Sequence, residues 1–383
     1  MAPLLVVFLY IVAILTIVLI HETGHFVTAK AFKIKVEEFF VGFGPRLWSF
    51  RRGETEYGLK ALPLGGYVRI AGMNPFQEIP EEEMPRTFGA KPAWQRAIVI
   101  AAGPITHFII AILLVAIVLA FIGIPLYRPQ IEVVQKQLNG QPSPALVAGL
   151  RPGDQVLALD GQAVSASADP NPGIVQFTRY TRIHPGQPIS ITVRRGDRTL
   201  TVTATPREAK VGNRSGGFIG IQVGATTVDR RRTDPFTAVG RGATQTWDYT
   251  VAVVKELGHV FGPSGLARIW GLLIGSEHRT TSDPASVVGG GRLVVEAARA
   301  KAWDALLEIL VGFNVFIGIL NLVPLPPLDG GHLAVIVYEK VRRRRPDVRK
   351  LVPLTALVAA FMILFAFAIT YLDIVQPLPN PFR

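Results

Sequence analysis

Two histidines four residues apart, with a glutamate between them in His21-Glu22-Thr23-Gly24-His25, are the residues of this sequence best suited to chemistry. On a helix that spacing puts both imidazoles on one face, near enough to share a metal ion. The adjacent carboxylate can move a proton. In a water-soluble chain the pattern would point to a zinc hydrolase. Here it ends an almost uninterrupted apolar run, Leu4 to Ile20, where ionisable groups are expensive and by default mark function.

Two imidazoles leave a tetrahedral hydrolytic site one protein ligand short. Far along the chain, the apolar run Ala305 to Val323 leads into Asn321-Leu322-Val323-Pro324-Leu325-Pro326-Pro327-Leu328-Asp329-Gly330-Gly331-His332. The three prolines must break the helix and are expected to leave Asp329 in unwound backbone. An Asp-Gly pair alone often only makes a turn. Beside an intramembrane histidine pair that lacks a ligand, it reads as the third ligand. His21, His25 and Asp329 would then hold Zn2+ and leave one position for water. Glu22 would serve as general base and later proton donor, and Asn321 could donate to the oxyanion. His107 reads first as a hydrogen-bonded interior residue, with a part in the chemistry left open, and His259 and His278 read as surface residues.

The elements that must position these groups are legible in the composition. The chain has 383 residues, 49% of them hydrophobic, and the apolar ones gather in long runs rather than at helix or strand period. That pattern indicates an integral membrane protein with a soluble portion. Spans are expected from Leu4 to about Phe32, Ala97 to Ile124 (kinked at Gly103-Pro104), Ala305 to Val323 and Leu351 to Leu372. The net charge of +12 arises largely from Lys and Arg flanking these runs, which signals cytoplasmic retention and not nucleic acid. There is no cysteine, so neither disulfides nor a thiolate metal site can form. The N-terminus lacks a basic leader and a cleavage site, and reads as a retained first membrane helix.

Between the spans, Val36 to Glu83 alternates in polarity and carries paired glycines, as in Leu62-Pro63-Leu64-Gly65-Gly66-Tyr67. A re-entrant β-hairpin dipping towards the metal is expected, with an edge free to pair with extended peptide. Glu78 to Pro85 reads as an acidic surface loop. From about Gln130 to Thr227 the composition is that of a soluble α+β domain. Its strand-like runs are 131–134, 156–159, 189–193 and 200–203, with a hairpin signal at Asp160-Gly161 and a short helix after Ser143. Asp154 reads as a structural turn residue. A charged linker, Asp229 to Asp234, precedes amphipathic helices over Pro235 to Gly275, broken at Gly262-Pro263, for the membrane surface or the bundle. Ser282 to Arg292 reads as a flexible connection or helix start. The boundaries expected are 1–127 for an N-terminal membrane core, 128–227 for the soluble domain, 228–300 for linker and amphipathic helices, and 301–383 for a C-terminal membrane core. The basic stretches at 30–60 and at Lys340 to Lys350, with Arg342, Arg343, Arg344, Arg345 and Arg349, fall on one side, which the positive-inside rule makes cytoplasmic. The soluble domain is then outside, and the metal site lies in a wet pocket near the cytoplasmic face.

Two resemblances follow from these motifs. Ala148-Gly149-Leu150, Pro152-Gly153-Asp154 and Asp160-Gly161-Gln162 resemble PDZ domains of bacterial membrane proteases, which bind peptide by strand addition. Over nearly its whole length the chain resembles the site-2 protease family of intramembrane zinc metalloproteases, in its bacterial sigma-factor-regulating form with one PDZ domain. The residues that carry it are 21–25, Phe40-Val41-Gly42-Phe43-Gly44-Pro45, 62–67, and Asn321 to Gly330 as Asn-x-x-Pro-x-Pro-x-Leu-Asp-Gly. The resemblance implies His21, His25 and Asp329 as zinc ligands, Glu22 as catalytic acid/base, and Asn321 as a helper in substrate or transition-state binding. It implies a polytopic α-helical membrane protein of the bacterial inner membrane. Its substrate would be a single-span membrane protein such as an anti-sigma factor, trimmed first by a site-1 protease, with the PDZ region screening substrates by size. The chain departs from the family in carrying His107 where relatives often have Asn, which opens the question of an extra metal contact. It also has room for one PDZ-like domain where some relatives have two. The competing readings are a non-catalytic PDZ-containing membrane adaptor, against which the intact ligand set and base argue, and a zinc transporter, against which the single ligand set argues.

Overall fold

The computed structural model describes residues 3–74, 76–211, 214–344 and 347–382; Arg345 of the expected cytoplasmic loop lies outside them. Four helices among the described residues are long and apolar enough to cross a membrane: Pro3–Ala31, Ala93–Ile122, Trp303–Leu322 and Arg349–Val375. At 1.5 Å per residue, about 20 residues cover a hydrocarbon core of about 30 Å. Only 6% of the most apolar window of the last helix is buried, so its surface is one for lipid to cover.

In chain order, α1 (Pro3–Ala31) is followed by β1 (Val36–Arg52), β2 (Thr55–Ile70) and α2 (Ala93–Ile117). The last runs unbroken through Pro104 and ends in a single π-helical turn, Val118–Ile122. Next come β3 (Ile124–Val134), β4 (Gln137–Leu138), β5 (Gln141–Pro142), α3 (Pro144–Val147), β6 (Gln155–Leu159), β7 (Gln162–Ala163) and α4 (Asn171–Ile183). Then follow β8 (Ile189–Arg195), β9 (Arg198–Ala204), β10 (Arg207–Val211), β11 (Arg214–Phe218) and β12 (Ile221–Arg231). The chain continues with α5 (Pro235–Val260), α6 (Pro263–Leu273), α7 (Val287–Arg299), α8 (Trp303–Leu322), α9 (Asp329–Arg342) and α10 (Val352–Val375). Two compact units result: Met1–Ala116 with Val239–Arg383, and Ile117–Ala238.

In the first unit, β1 and β2 are each far longer than an ordinary strand and bend, β1 at Gly42 and Gly44, whose φ values are 90° and 85°. Each therefore pairs twice. Phe40 faces Tyr67 on one side and Gly58 on the other, while Trp48 faces Leu59 and Arg52 faces Thr55. Where a hairpin was expected, the sheet has four runs in the order 46–52, 55–60, 36–41, 66–70; the outer pairings are antiparallel, the central one (Glu38 with Glu56 through Val41 with Leu59) runs parallel, and the last run is an edge. Beneath it Ala29, Ile34, Val36, Ile70, Val99, Ile100 and Ile336 form one buried cluster that joins α1, the sheet, α2 and α9. Burial of Ile34, Val36 and Ile70 contributes about 1.5–3 kcal/mol each.

Further along this unit, α5 and α6 are separated at Gly262, and α7 begins at Val287 behind a Ser286 cap whose hydroxyl accepts from the Val288 N–H. His259 and His278 are exposed. One expectation is corrected. Asp329 is not in unwound backbone but is the first residue of α9. The prolines unwind 323–328, and a carboxylate at the first turn then complements the N-terminal end of the helix dipole.

The second unit contains the sheet β12-β3-β6-β8-β9, with β7 paired to β6. Its core includes Ile131, Leu150, Val156, Leu159, Phe177, Ile189 and Ile191. Asp160 and Gly161 both have positive φ, 45° and 81°, as a tight two-residue turn between β6 and β7 requires. Asp154 is fully buried and takes two hydrogen bonds of 2.7 Å from the Arg195 guanidinium and one of 2.8 Å from the Arg151 N–H. Its role is structural.

Candidate metal centre

His21 and His25 lie one turn apart on α1, both buried. His25 Nδ1 is 2.8 Å from the Val99 carbonyl, an atom that can only accept, so Nδ1 holds the proton and Nε2 presents a lone pair. That Nε2 is 3.2 Å from His21 Nε2 and 3.3 Å from Asp329 Oδ2, and His21 Nε2 is 3.2 Å from the same oxygen. A tetrahedral ion with bonds of about 2.0 Å sets its ligand atoms about 3.3 Å apart. Asp329 Oδ2 is buried without a hydrogen-bond partner. Three acceptor atoms thus converge with the spacing a small cation requires, and the donor set suits zinc.

Helix packing brings the three together. Gly24 allows α1 to approach α2 so closely that a Cβ there would be 2.7 Å from the Ala102 carbonyl oxygen. Across the crossing, a Cβ on Gly103 would intrude between the two imidazoles, 2.8 Å from His21 Cε1. These two positions keep the space in front of the ligand nitrogens open. Asp329 arrives from the other end of the sequence because the proline break turns the chain back after α8.

Glu22, half-buried, sits beside the edge run of the sheet. A Cβ on Gly66 would lie 3.3 Å from Glu22 Cγ, and the Val68 backbone faces its carboxylate. The edge is braced from behind. Tyr67 donates to Glu38, Lys60 donates to Tyr67 at 2.5 Å, and Arg69 pairs with Glu38 at 2.9 Å. Burial, with the Glu38 carboxylate as acceptor, holds the Tyr67 hydroxyl above its ordinary pKa. An open cleft bounded by Val68, Ile70, Met73, Gln77 and His332 follows the same edge. Asn321 is in the last turn of α8, half-buried, ahead of the proline break.

His107 is fully buried but stands outside the ligand group. Its Nε2 is 3.0 Å from His21 Nδ1, whereas His21 Nε2 is the nitrogen that meets Asp329, and the group able to hold a metal among the described residues is His21, His25 and Asp329 without it. Two residues escaped sequence reasoning. Gly103 was visible only as half of a Gly-Pro pair. Asn314 was visible as an amide inside an apolar span, a costly placement that signals a partner, two helical turns before Asn321 and on the same face.

A sequence profile of peptidase family M50 matches residues 9–366. The zinc metalloprotease Rip1 of Mycolicibacterium smegmatis is 33% identical, over 97% of both chains. Rip1 of Mycobacterium tuberculosis is likewise 33% identical over 97% of both. The metalloprotease MmpA of Caulobacter vibrioides is 30% identical, over 89% of this chain and 87% of its own.

Proposed function

The chain belongs to peptidase family M50, the site-2 proteases, and on the premise that it is a multi-pass membrane zinc metalloendopeptidase we propose which residues do the work and on what substrate. His21, His25 and Asp329 hold the zinc, and Glu22 is the acid/base. The observation that carries this is the mutual separation of 3.2–3.3 Å among the three ligand atoms, one residue from a half-buried carboxylate. Zinc supplies Lewis acidity, polarising the scissile carbonyl and acidifying water at neutral pH. Glu22 takes the proton from the attacking water and returns it to the leaving amine. Asn321, at the end of α8, donates to the developing oxyanion. A helical peptide bond is shielded by its own hydrogen bonds, so the substrate must be unwound. The run 66–70 beside Glu22 has a free strand edge on which an extended segment can be held.

The substrate proposed is a single-span membrane protein, an anti-sigma factor or similar regulator, already shortened by a site-1 protease. The soluble unit, read as a PDZ-like domain over 128–227, screens it. In this reading the enzyme sits in the bacterial inner membrane with that domain outside and the active site near the cytoplasmic face, a reading supported by the basic stretches 30–60 and 340–350. The 1–127 and 301–383 segments are its membrane core. Glu22→Gln tests the assignment. Zinc should remain bound, cleavage of a co-expressed single-span substrate should cease, and an uncut substrate should accumulate with the variant in membrane proteomes. Continued cleavage would sink the assignment of Glu22.

A further inference from the structure

Three helices meet behind the metal centre through two residues that are not themselves among the proposed ligands. His107 on α2 and Asn314 on α8 are both fully buried among apolar helices, where each polar atom needs a partner. Asn314 Nδ2 donates to the His107 backbone carbonyl at 2.5 Å, an atom that can only accept. That contact fixes the amide, and Asn314 Oδ1 therefore faces His107 Nδ1 at 2.7 Å, so this nitrogen carries the proton. With that one proton on the ring, His107 Nε2 is the acceptor, 3.0 Å from His21 Nδ1. His21 must donate there, and its own Nε2 keeps the lone pair that faces His25 and Asp329. Gly318, one turn beyond Asn314, makes the closure possible, since a Cβ there would lie 2.9 Å from His107 Cβ.

We infer that Asn314, acting through His107, sets the tautomer and ring orientation of His21 for metal binding. Both are positioning residues, and the inference rests on His21 being a zinc ligand. Partners of this kind raise ligand basicity and hold the ring, and their loss typically weakens metal binding 10–100-fold.

The test uses full-length protein in detergent, with zinc affinity measured by competition against a chromogenic chelator and the visible spectrum recorded after Co2+ loading. His107→Leu keeps the volume but removes the acceptor. It should raise the zinc Kd roughly 10–100-fold and shift the Co2+ bands. His107→Gln offers an amide oxygen near the same point and should restore both to near wild type. Asn314→Ala should weaken zinc in the same direction. Unchanged affinity and spectrum in His107→Leu would overturn the inference, as would equal weakening by Leu and Gln, which would mean packing alone. Should His107→Leu fail to fold, Asn314→Ala decides, and wild-type affinity there overturns it. A wild-type protein that binds no stoichiometric zinc overturns the metal centre itself, an outcome separable because it needs no variant.

Discussion

Gly103 on α2 stands so close to His25 on α1 that a Cβ built on it would lie 2.2 Å from the ring Nε2. No rotation of a methyl group relieves that contact, because the carbon is fixed by the helix backbone. The absence of one side chain is thus as much a part of the site as the side chains that converge there.

Gly103→Ala is accordingly expected to fold into the membrane, since alanine is a good helix former, yet to lose zinc. The zinc content of purified protein should fall by roughly 10-fold or more, with activity falling in step. Retention of stoichiometric zinc in this variant would contradict the geometry.

Metal removal gives a second expectation. Zinc at 100 times its Kd should stabilise the protein by about 2.7 kcal/mol relative to the chelated form. In His25→Ala or Asp329→Asn the melting temperature should cease to respond to zinc over that range. Differential scanning in detergent, with and without chelator, reads the difference.

Away from the centre, Arg279 and Asp373 form a pair whose side chains are 2% and 1% exposed, at 2.5 Å. Asp373 also accepts the Ser286 N–H at 2.7 Å, tying the segment before α7 to the end of α10. Removing one member strands the other charge. Arg279→Met should cost about 3–5 kcal/mol, and adding Asp373→Asn should recover much of it. A double variant no more stable than the single one would refute the pairing energetics.

A pH effect follows from Asp283. Burial alone would push its carboxyl up. The Arg268 guanidinium, at 2.5 and 2.8 Å, and the Thr280 N–H, at 2.6 Å, outweigh burial and hold it below the ordinary carboxylate range. A depressed folded-state pKa contributes stability above the unfolded value, and that stability is lost as pH falls through the folded one. Wild type should therefore exceed Asp283→Asn in melting temperature at neutral pH, with the gap closing below about pH 4. A gap that stays constant with pH would refute the linkage.

How much of this could be read beforehand depended on the reach of each signal. The four spans were legible because length and apolarity are properties of contiguous sequence. The spacing of His21 and His25 fixes their common face, and the prolines at 324, 326 and 327 mark where α8 must stop. What followed the stop was less legible. Asp329 opens a new helix, because three residues of alternation or periodicity are too few to tell a loop from a first turn. The doubled pairing of β1 and β2 was hidden for a related reason. Alternation gives the face of a strand but not how many times it folds back, which Gly42 and Gly44 decide. Gly103 and Asn314 were illegible in their roles because each acts across a helix crossing, on residues distant in sequence.

The centre also has a timetable. Its histidines are made within the first few dozen residues, whereas Asp329 follows some three hundred residues later. At about 5–20 residues per second, roughly 15–60 s of synthesis separates them. Asn314 and α8 are equally late. A nascent chain thus carries the base and two imidazoles past its neighbours in the membrane without the group that completes the site. With the site assigned as proposed, the third ligand is missing until Asp329 has been made and has reached α1, so proteins inserted beside the chain in that interval meet an incomplete centre.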